Sequence, residues 1–337
     1  MRIAIDAMGG DLGPSAVVQG AVSAMKNGTT PAELLLVGDE AILNQQLERF
    51  HHPAQIRVVH APDTILMTEK PIEAIRKKPG ASVLMAAQLV KRKEADGVVT
   101  IGNTGAAMAA AHFELGTISG IGRSAIATTV PSRPNPVLLL DAGANVDCNP
   151  QNMLEFAMMG HIYAKTVLHI ERPRVALLSN GEEPSKGNRL TRSAYSLFDG
   201  APLNFVGYLE GMDIFRGRAD VVVCDGFSGN IVLKVGEGVA DMVLHLIRDE
   251  LTRHRWMWLP LFFLRKGIQN IRSKIDYREF GGAPLLGVKG VCIIGHGRSD
   301  ALAIQNAIRI AHLAIEGQLV EQMETLAVHF AAGAKLS

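Results

Sequence analysis

The sequence predicts a doubly wound α/β fold on a largely parallel sheet, and three observations carry that expectation. Short continuous apolar runs recur, among them Ile3-Ala4-Ile5, Val137-Leu138-Leu139-Leu140, Val175-Ala176-Leu177-Leu178, Val221-Val222-Val223 and Val291-Cys292-Ile293-Ile294. Such runs suit parallel strands covered on both faces. Each run ends in a polar, glycine-rich turn, the place where open α/β sheets bind ligands. Segments of helical character separate the runs, the alternation that builds βαβ units.

Composition agrees. The 337 residues are 47% hydrophobic but only 5% aromatic, with 34 glycines, which is the profile of an aliphatic, well-buried α/β enzyme. We expect a Rossmann-like α/β/α sandwich forming one catalytic domain over 1–337, with a protruding helical hairpin at about 236–280. A formal net charge of +1 speaks against a general nucleic-acid surface. Cys148, Cys224 and Cys292 have neither a disulfide framework nor zinc spacing. Met1 leads straight into Arg2-Ile3-Ala4-Ile5-Asp6, which is not a secretory leader. No apolar stretch approaches the ~18 residues of a membrane span. A cytoplasmic protein with at most peripheral membrane contact is the expectation.

In chain order, Ile3–Asp6 reads as the first strand, and Gly13-Pro14-Ser15 starts a helix that runs to Lys26. Leu34–Val37 and Ile56–Val59 read as strands with a helix near 41–50 between them. Lys70 to Gly80 reads as a basic, proline-punctuated connection, Ser82–Lys91 as a helix, and Val98–Ile101 as a buried strand. Gly102-Asn103-Thr104-Gly105 follows at once and opens an alanine-rich helix. Asn103 and Thr104 suit its cap, and its free N–H groups make an anion site. Gly120-Ile121-Gly122-Arg123-Ser124-Ala125 loosely fits a dinucleotide fingerprint but follows no convincing strand, and no P-loop pattern exists. A helix is expected over 152–166, a strand over 203–208, and one long helix over about 300–328, whose alanines pack into the core.

Several side chains invite chemistry. Cys148 is the one cysteine outside a predicted strand, yet no histidine is near it in sequence. Gly226-Phe227-Ser228-Gly229 lacks the hydrolase elbow spacing. His296 stands between two glycines at a strand end, an unusual place for a core histidine. Asp6, Asp11, Asp141 and Asp225 could hold Mg²⁺, but aspartates at strand ends more often cap helices or orient donors. Lys186 lies in a Gly/Asn-rich loop able to close on a phosphate. Strand-end placement predicts that Asn103, Lys186 and His296 line one pocket.

Helical apolar spacing from Val239 to Leu251 leads into Arg255-Trp256-Met257-Trp258-Leu259-Pro260-Leu261-Phe262-Phe263-Leu264. Residues 248–278 carry eight Lys/Arg against three acids. A short aromatic tip flanked by cations suits a membrane interface or an oligomer contact.

The set Asp6-x-Met8-Gly9-Gly10-Asp11, Gly102-Asn103-Thr104-Gly105, Asp141-x-Gly143-Ala144-Asn145, Gly181-Glu182-Glu183…Lys186-Gly187, Asp225-Gly226-Phe227-x-Gly229-Asn230-x-x-Leu233-Lys234 and Gly281-Gly282-Ala283-Pro284…His296-Gly297 resembles the PlsX family, the phosphate acyltransferases of bacterial phospholipid synthesis. The motifs run in order from residue 6 to about 299. Two positions depart from the family pattern: only Ser82 of a usual Ser-Ser pair is present, and Met212 stands where an Arg is common. The resemblance implies a fold akin to phosphotransacetylases and isocitrate-type dehydrogenases. It also implies a homodimer; no cofactor is expected, and no residue is assigned to a metal. The implied reaction converts acyl-(acyl carrier protein) and inorganic phosphate to acyl phosphate, which feeds the membrane glycerol-3-phosphate acyltransferase. For that chemistry the residues expected to act in catalysis are Lys186, Asn230, Lys234 and His296. Asp11, Ser82, Asn103, Thr104, Gly105, Asn145, Asp225 and Gly229 are assigned to phosphate or substrate, and Trp256, Trp258, Leu261, Phe262 and Phe263 to an anionic membrane.

The chemistry fits these residue types. Phosphate is itself the nucleophile and a thiolate leaves readily, so the site must supply an anion cradle, positioning and oxyanion donors. A nicotinamide-dependent dehydrogenase of related fold lacks its fingerprint here. A non-catalytic membrane-surface scaffold leaves the glycine-rich turns idle.

Overall fold

The apolar runs become strands of one mixed sheet. The computed structural model describes residues 1–26, 33–253, 278 and 281–331. In chain order the first elements are β1 (Arg2–Asp6), α1 (Gly13–Lys26), β2 (Glu33–Gly38), α2 (Glu40–Glu48), β3 (Ile56–His60), α3 (Pro71–Lys77), α4 (Ser82–Lys91), β4 (Gly97–Ile101) and α5 (Thr104–Glu114). Then come β5 (Ala125–Val130), β6 (Val137–Leu140), α6 (Pro150–Thr166), β7 (Arg174–Leu178), α7 (Arg189–Asp199), β8 (Asn204–Leu209), α8 (Gly211–Ile214), β9 (Val221–Val223) and α9 (Gly226–Arg253). The last are β10 (Ala283–Leu286), β11 (Val291–Gly295), α10 (Ala301–Glu316) and α11 (Leu319–Ala331).

The sheet order is β3-β2-β1-β4-β11-β10-β5-β6-β9-β7-β8. Two parallel blocks, β3-β2-β1-β4-β11 and β6-β9-β7-β8, flank β10 and β5, whose three pairings are antiparallel. With those three reversals between them, the two blocks run in opposite senses within the sheet. The expectation of a largely parallel sheet therefore holds within each block but not across the middle.

The two central strands are the ones the sequence hides. β5, Ala-Ile-Ala-Thr-Thr-Val, has alanines where a run of large apolar residues would announce a strand. β10 carries Pro284, which has no N–H for the ladder, yet pairs with Ile293. Helix α3 lies where the sequence read a connection, and α7 follows the Lys186 loop in a stretch to which the sequence assigned no element. The expected single C-terminal helix is two, because the chain breaks at Gly317-Gln318, where Gln318 takes φ 52°.

Alternate residues of each strand feed opposite layers. Ile3, Ile5, Val99 and Ile101 pack with α1, α6 and α10, and Leu138 and Leu140 join them. Ala4, Val98, Cys292 and Ile294 pack with α3, α4 and α5 on the other face. That face also takes Leu233 of α9. α9 begins against the turn after β6 and reaches the turn after β11, so it ties the two blocks together.

Trp256, Trp258, Leu261, Phe262 and Phe263, and most of the expected 236–280 hairpin beyond α9, lie outside the described residues. Among the described helices, none is long and apolar enough to cross a membrane.

Candidate functional site

Two buried aspartates shape the turns from which the site grows. Asp6, at the end of β1, accepts hydrogen bonds from Ser82 Oγ (2.7 Å) and Thr100 Oγ1 (3.0 Å), and from the Met8 N–H. Burial pushes its pKa up, against these bonds, which pull it down. Asp141, just beyond β6, accepts from the N–H groups of Ile126, Gly143, Ala144 and Asn145 and from the Asn145 amide. Burial raises its pKa too. Both carboxylates are thus engaged with protein donors, and neither is free for the Mg²⁺ role the sequence allowed.

The turn after β6 is the floor for α9. Asp225 caps this helix through Ser228 N–H (2.8 Å) and Ser228 Oγ (3.1 Å). A Cβ on Gly229 would collide with the Asp141 carbonyl oxygen, so only glycine lets α9 settle on that turn. Asn230, exposed on the next position, lies over Gly143.

One turn further along, α9 meets the loops of the first block. Lys234 Nζ lies 3.4 Å from Glu237 Oε2, and Glu237 Oε2 lies 4.0 Å from an Arg298 guanidinium nitrogen. His296 sits on the same loop as Arg298 and accepts its backbone N–H at Nδ1 (3.3 Å). Partial burial, then Arg298 and Lys234, hold the His296 pKa below its ordinary value, while Glu237 and Asp11 oppose the shift. The shift favours the neutral imidazole. Asp11 joins the same corner, its N–H donating to the Gly297 carbonyl (2.7 Å).

The other predicted residues are engaged in shaping turns. Asn103 Oδ1 caps α5 at Ala106, and its amide donates to the Glu69 carbonyl (3.1 Å) and to that of Leu66 (3.3 Å). Thr104 is exposed in the first turn of α5. Gly105 lets Pro71 of α3 approach, since a Cβ there would lie 2.6 Å from the Pro71 ring. Ser82 is spent on Asp6. The Asn145 amide is spent on Asp141 and on the Ser124 carbonyl (2.8 Å).

Asn103 and His296 follow adjacent parallel strands, β4 and β11. Lys186 follows β7 in the oppositely directed block. It is exposed, its methylenes lie over Gly181, and among the described residues its ammonium has no hydrogen-bond or ion-pair partner. The structure thus brings Asn103 and His296 to neighbouring strand ends and shows no contact from either to Lys186.

Sequence reasoning missed Glu237 and Arg298. Glu237 carried a signal, three residues after Lys234 on a helix. Arg298 was two residues from His296, but its approach to α9 depends on the sheet order. Cys148 is half-buried, and burial, then the Asp141 carboxylate, push its thiol up to about 11, so it is not a poised nucleophile. The 120–125 segment leads from a turn into strand β5, the reverse of the strand-to-helix order of a dinucleotide fingerprint. An apolar cavity of about 250 Å³, lined by Ile121, Leu154, Met158, Met159, Met323 and Leu326, lies in the α6 and α11 layer, away from the charged corner.

The family described as "Fatty acid synthesis protein" matches residues 1–322. A phosphate acyltransferase of Pelotomaculum thermopropionicum is 47% identical over 325 residues, covering 96% of this chain and 94% of the relative. A phosphate acyltransferase of Geotalea daltonii is 46% identical over 313 residues, covering 93% and 90%. Among solved structures, a phosphotransacetylase from Streptococcus pyogenes overlays with a TM-score of 0.62 at 21% identity, covering 94% of each chain. One from Staphylococcus aureus gives 0.61 at 14% identity, again over 94% of each. Likeness at those identities establishes the α/β fold and nothing finer.

Proposed function

This chain belongs to the phosphate acyltransferase family, and from that premise we propose how its residues carry the reaction. The enzyme makes acyl phosphate for phospholipid synthesis, which disfavours the dehydrogenase and scaffold alternatives. The observation that carries the site assignment is the corner where α9 meets the loop after β11. There Lys234, Arg298 and a His296 shifted toward its neutral form stand together, and Asn230 lies one helical turn away.

In this reading HPO₄²⁻ attacks the thioester carbonyl, a C–O bond forms and the C–S bond breaks. The proton of the phosphate passes to the departing sulfur, giving acyl phosphate dianion and free thiol. His296, in its neutral form, accepts the proton from phosphate and returns it to sulfur. A thiolate leaves with a pKa of about 8.5, so it needs little acid help. Lys234 holds the phosphate, and Asn230 donates to the developing oxyanion. Lys186 supplies further positive charge from its loop. Asp11, Ser82, Asn103, Thr104, Gly105, Asn145, Asp225 and Gly229 serve by fixing the turns around the phosphate.

The donor is acyl-(acyl carrier protein). Incubating the purified chain with that thioester and inorganic phosphate should yield acyl phosphate, trapped as the hydroxamate. No product from any acyl thioester would reject the reading.

The protein acts as a homodimer at the cytoplasmic membrane surface. Val235, Val239, Met242, Val243, Leu246 and Ile247 of α9 are all exposed, an apolar stripe that a second copy would cover. The basic residues of 248–278 suit the acidic carrier protein and anionic lipid, and the tip that follows α9 suits shallow insertion. Acyl phosphate made there is close to the membrane glycerol-3-phosphate acyltransferase. Trp256→Glu with Phe262→Glu should abolish pelleting with anionic vesicles and spare turnover of soluble thioester. Continued pelleting would assign the tip to the dimer contact instead.

A further inference from the structure

Lys234, proposed to hold phosphate, and Arg298 beside it already share a carboxylate. Glu237 Oε2 lies 3.4 Å from Lys234 Nζ and 4.0 Å from an Arg298 nitrogen. The first contact follows from i,i+3 spacing along α9. The second does not, because it crosses from α9 to the loop after β11, between segments far apart in the chain. The side chains of Lys234 and Arg298 are 56% and 55% exposed, whereas that of Glu237 is only 27% exposed. The carboxylate is thus the inner partner of two outward cations, and it meets both with one oxygen. Asp11 adds a second carboxylate beside the same histidine.

A carboxylate and a phosphate make the same kind of charge-assisted contact with Lys and Arg. Resting on the placement of phosphate at Lys234, we infer that Glu237 is a built-in stand-in for phosphate: it holds Lys234 and Arg298 in place before phosphate binds, and incoming phosphate takes both cations over as the Glu237 side chain turns away. Arg298 is then a phosphate-binding residue. Glu237 is a positioning residue that keeps two long, flexible side chains together, at the cost of competing with the substrate. The competition is modest, since an exposed ion pair is worth a factor of about 1.5 to 5 in an equilibrium constant.

The test is steady-state kinetics on the full-length protein with a long-chain acyl thioester of acyl carrier protein. Glu237→Gln should lower the KM for inorganic phosphate by about 1.5- to fivefold and leave the KM for thioester unchanged. Thermal protection by inorganic phosphate alone, with no thioester present, should appear at concentrations lower by the same factor. Arg298→Gln should raise the phosphate KM by about tenfold or more, as expected for loss of a charged hydrogen bond. In the Arg298→Gln background, Glu237→Gln should gain less. If Glu237→Gln fails to fold, Glu237→Asp, too short to span both cations, should move the phosphate KM the same way. An unchanged or raised phosphate KM in a folded Glu237 variant overturns the inference, leaving an ordinary surface ion pair. A wild-type protein that makes no acyl phosphate overturns the functional reading beneath it instead.

Discussion

At the end of β1 the Asp6 carboxylate takes hydrogen bonds from side chains of two other elements as well as from the backbone of its own turn. At the end of β6 the Asp141 carboxylate takes most of its bonds from the backbone of its own turn. Ser82 comes from α4 and Thr100 from β4, so Asp6 staples the first block's strands to a helix. Gly143, Ala144 and Asn145 follow Asp141 directly, so that turn folds around its own acid, with Ile126 of β5 as the outside partner. The two turns look alike in sequence, an aspartate followed by a glycine-rich stretch, but one is tied to its neighbours and the other is self-contained. The self-contained turn is the one on which α9 rests, with Asn230 over Gly143, and α9 carries Lys234 on to the loops of the first block. Buried acids thus shape the turns, and the cations Lys234 on α9 and Arg298 after β11 stay exposed.

The largest effect expected from this contrast is on stability. Asp141→Ala strands several backbone N–H groups that cannot turn to other acceptors. It should cost on the order of 3 kcal/mol or more in denaturant unfolding. Asp6→Ala should cost less, because the Ser82 and Thr100 hydroxyls can rotate to new partners. Equal losses would erase the distinction between the turns.

A smaller, sharper effect lies in coupling. Ser82→Ala and Thr100→Val share one carboxylate, so a double-mutant cycle should show roughly 0.5–1 kcal/mol of non-additivity. Ser82→Ala combined with Asn145→Ala should add to within about 0.5 kcal/mol, since they serve separate turns. Coupling between these last two would mean that the blocks communicate through more than α9.

The smallest effect concerns Cys148, whose Sγ lies 3.4 Å from the Asn145 carbonyl at the edge of the Asp141 turn. Its thiol, pushed up to about 11, is protonated at neutral pH, and the thiolate fraction grows only as pH rises toward that value. Iodoacetamide labelling followed by mass spectrometry should therefore be slow at pH 7 and accelerate tenfold per pH unit until near 11. Cys148→Ala should keep most of the turnover. Rapid labelling at pH 7 would make the thiol a candidate nucleophile again.

Much of this was legible in the sequence because it is local. Continuous apolar runs announced β1, β4, β6, β7, β9 and β11, and the glycine-rich turns after them marked the strand ends. β5 and β10 escaped because alanines and Pro284 disguise strands that only their neighbours specify. The reversal they introduce is why Lys186 and His296, both read as strand-end residues, belong to opposed blocks. Ser82, Asn103 and Asn145 were recognisable as polar groups at turns. Their partners, Asp6, the Glu69 carbonyl and Asp141, are set by packing. Lys234 was found from the motif pattern and His296 from its place between two glycines at a strand end, but the approach of Arg298 to Glu237 comes from α9 crossing between blocks, which no spacing encodes.

Direct attack of phosphate on the thioester would leave no acyl group resting on the protein at any stage. Rapid mixing of the enzyme with a radiolabelled acyl thioester in the absence of phosphate is the decisive measurement. Direct attack requires no labelled protein and no burst of free thiol, followed by labelled acyl phosphate once phosphate is added. A stoichiometric acyl-protein formed before phosphate is present, and consumed when it arrives, would contradict it.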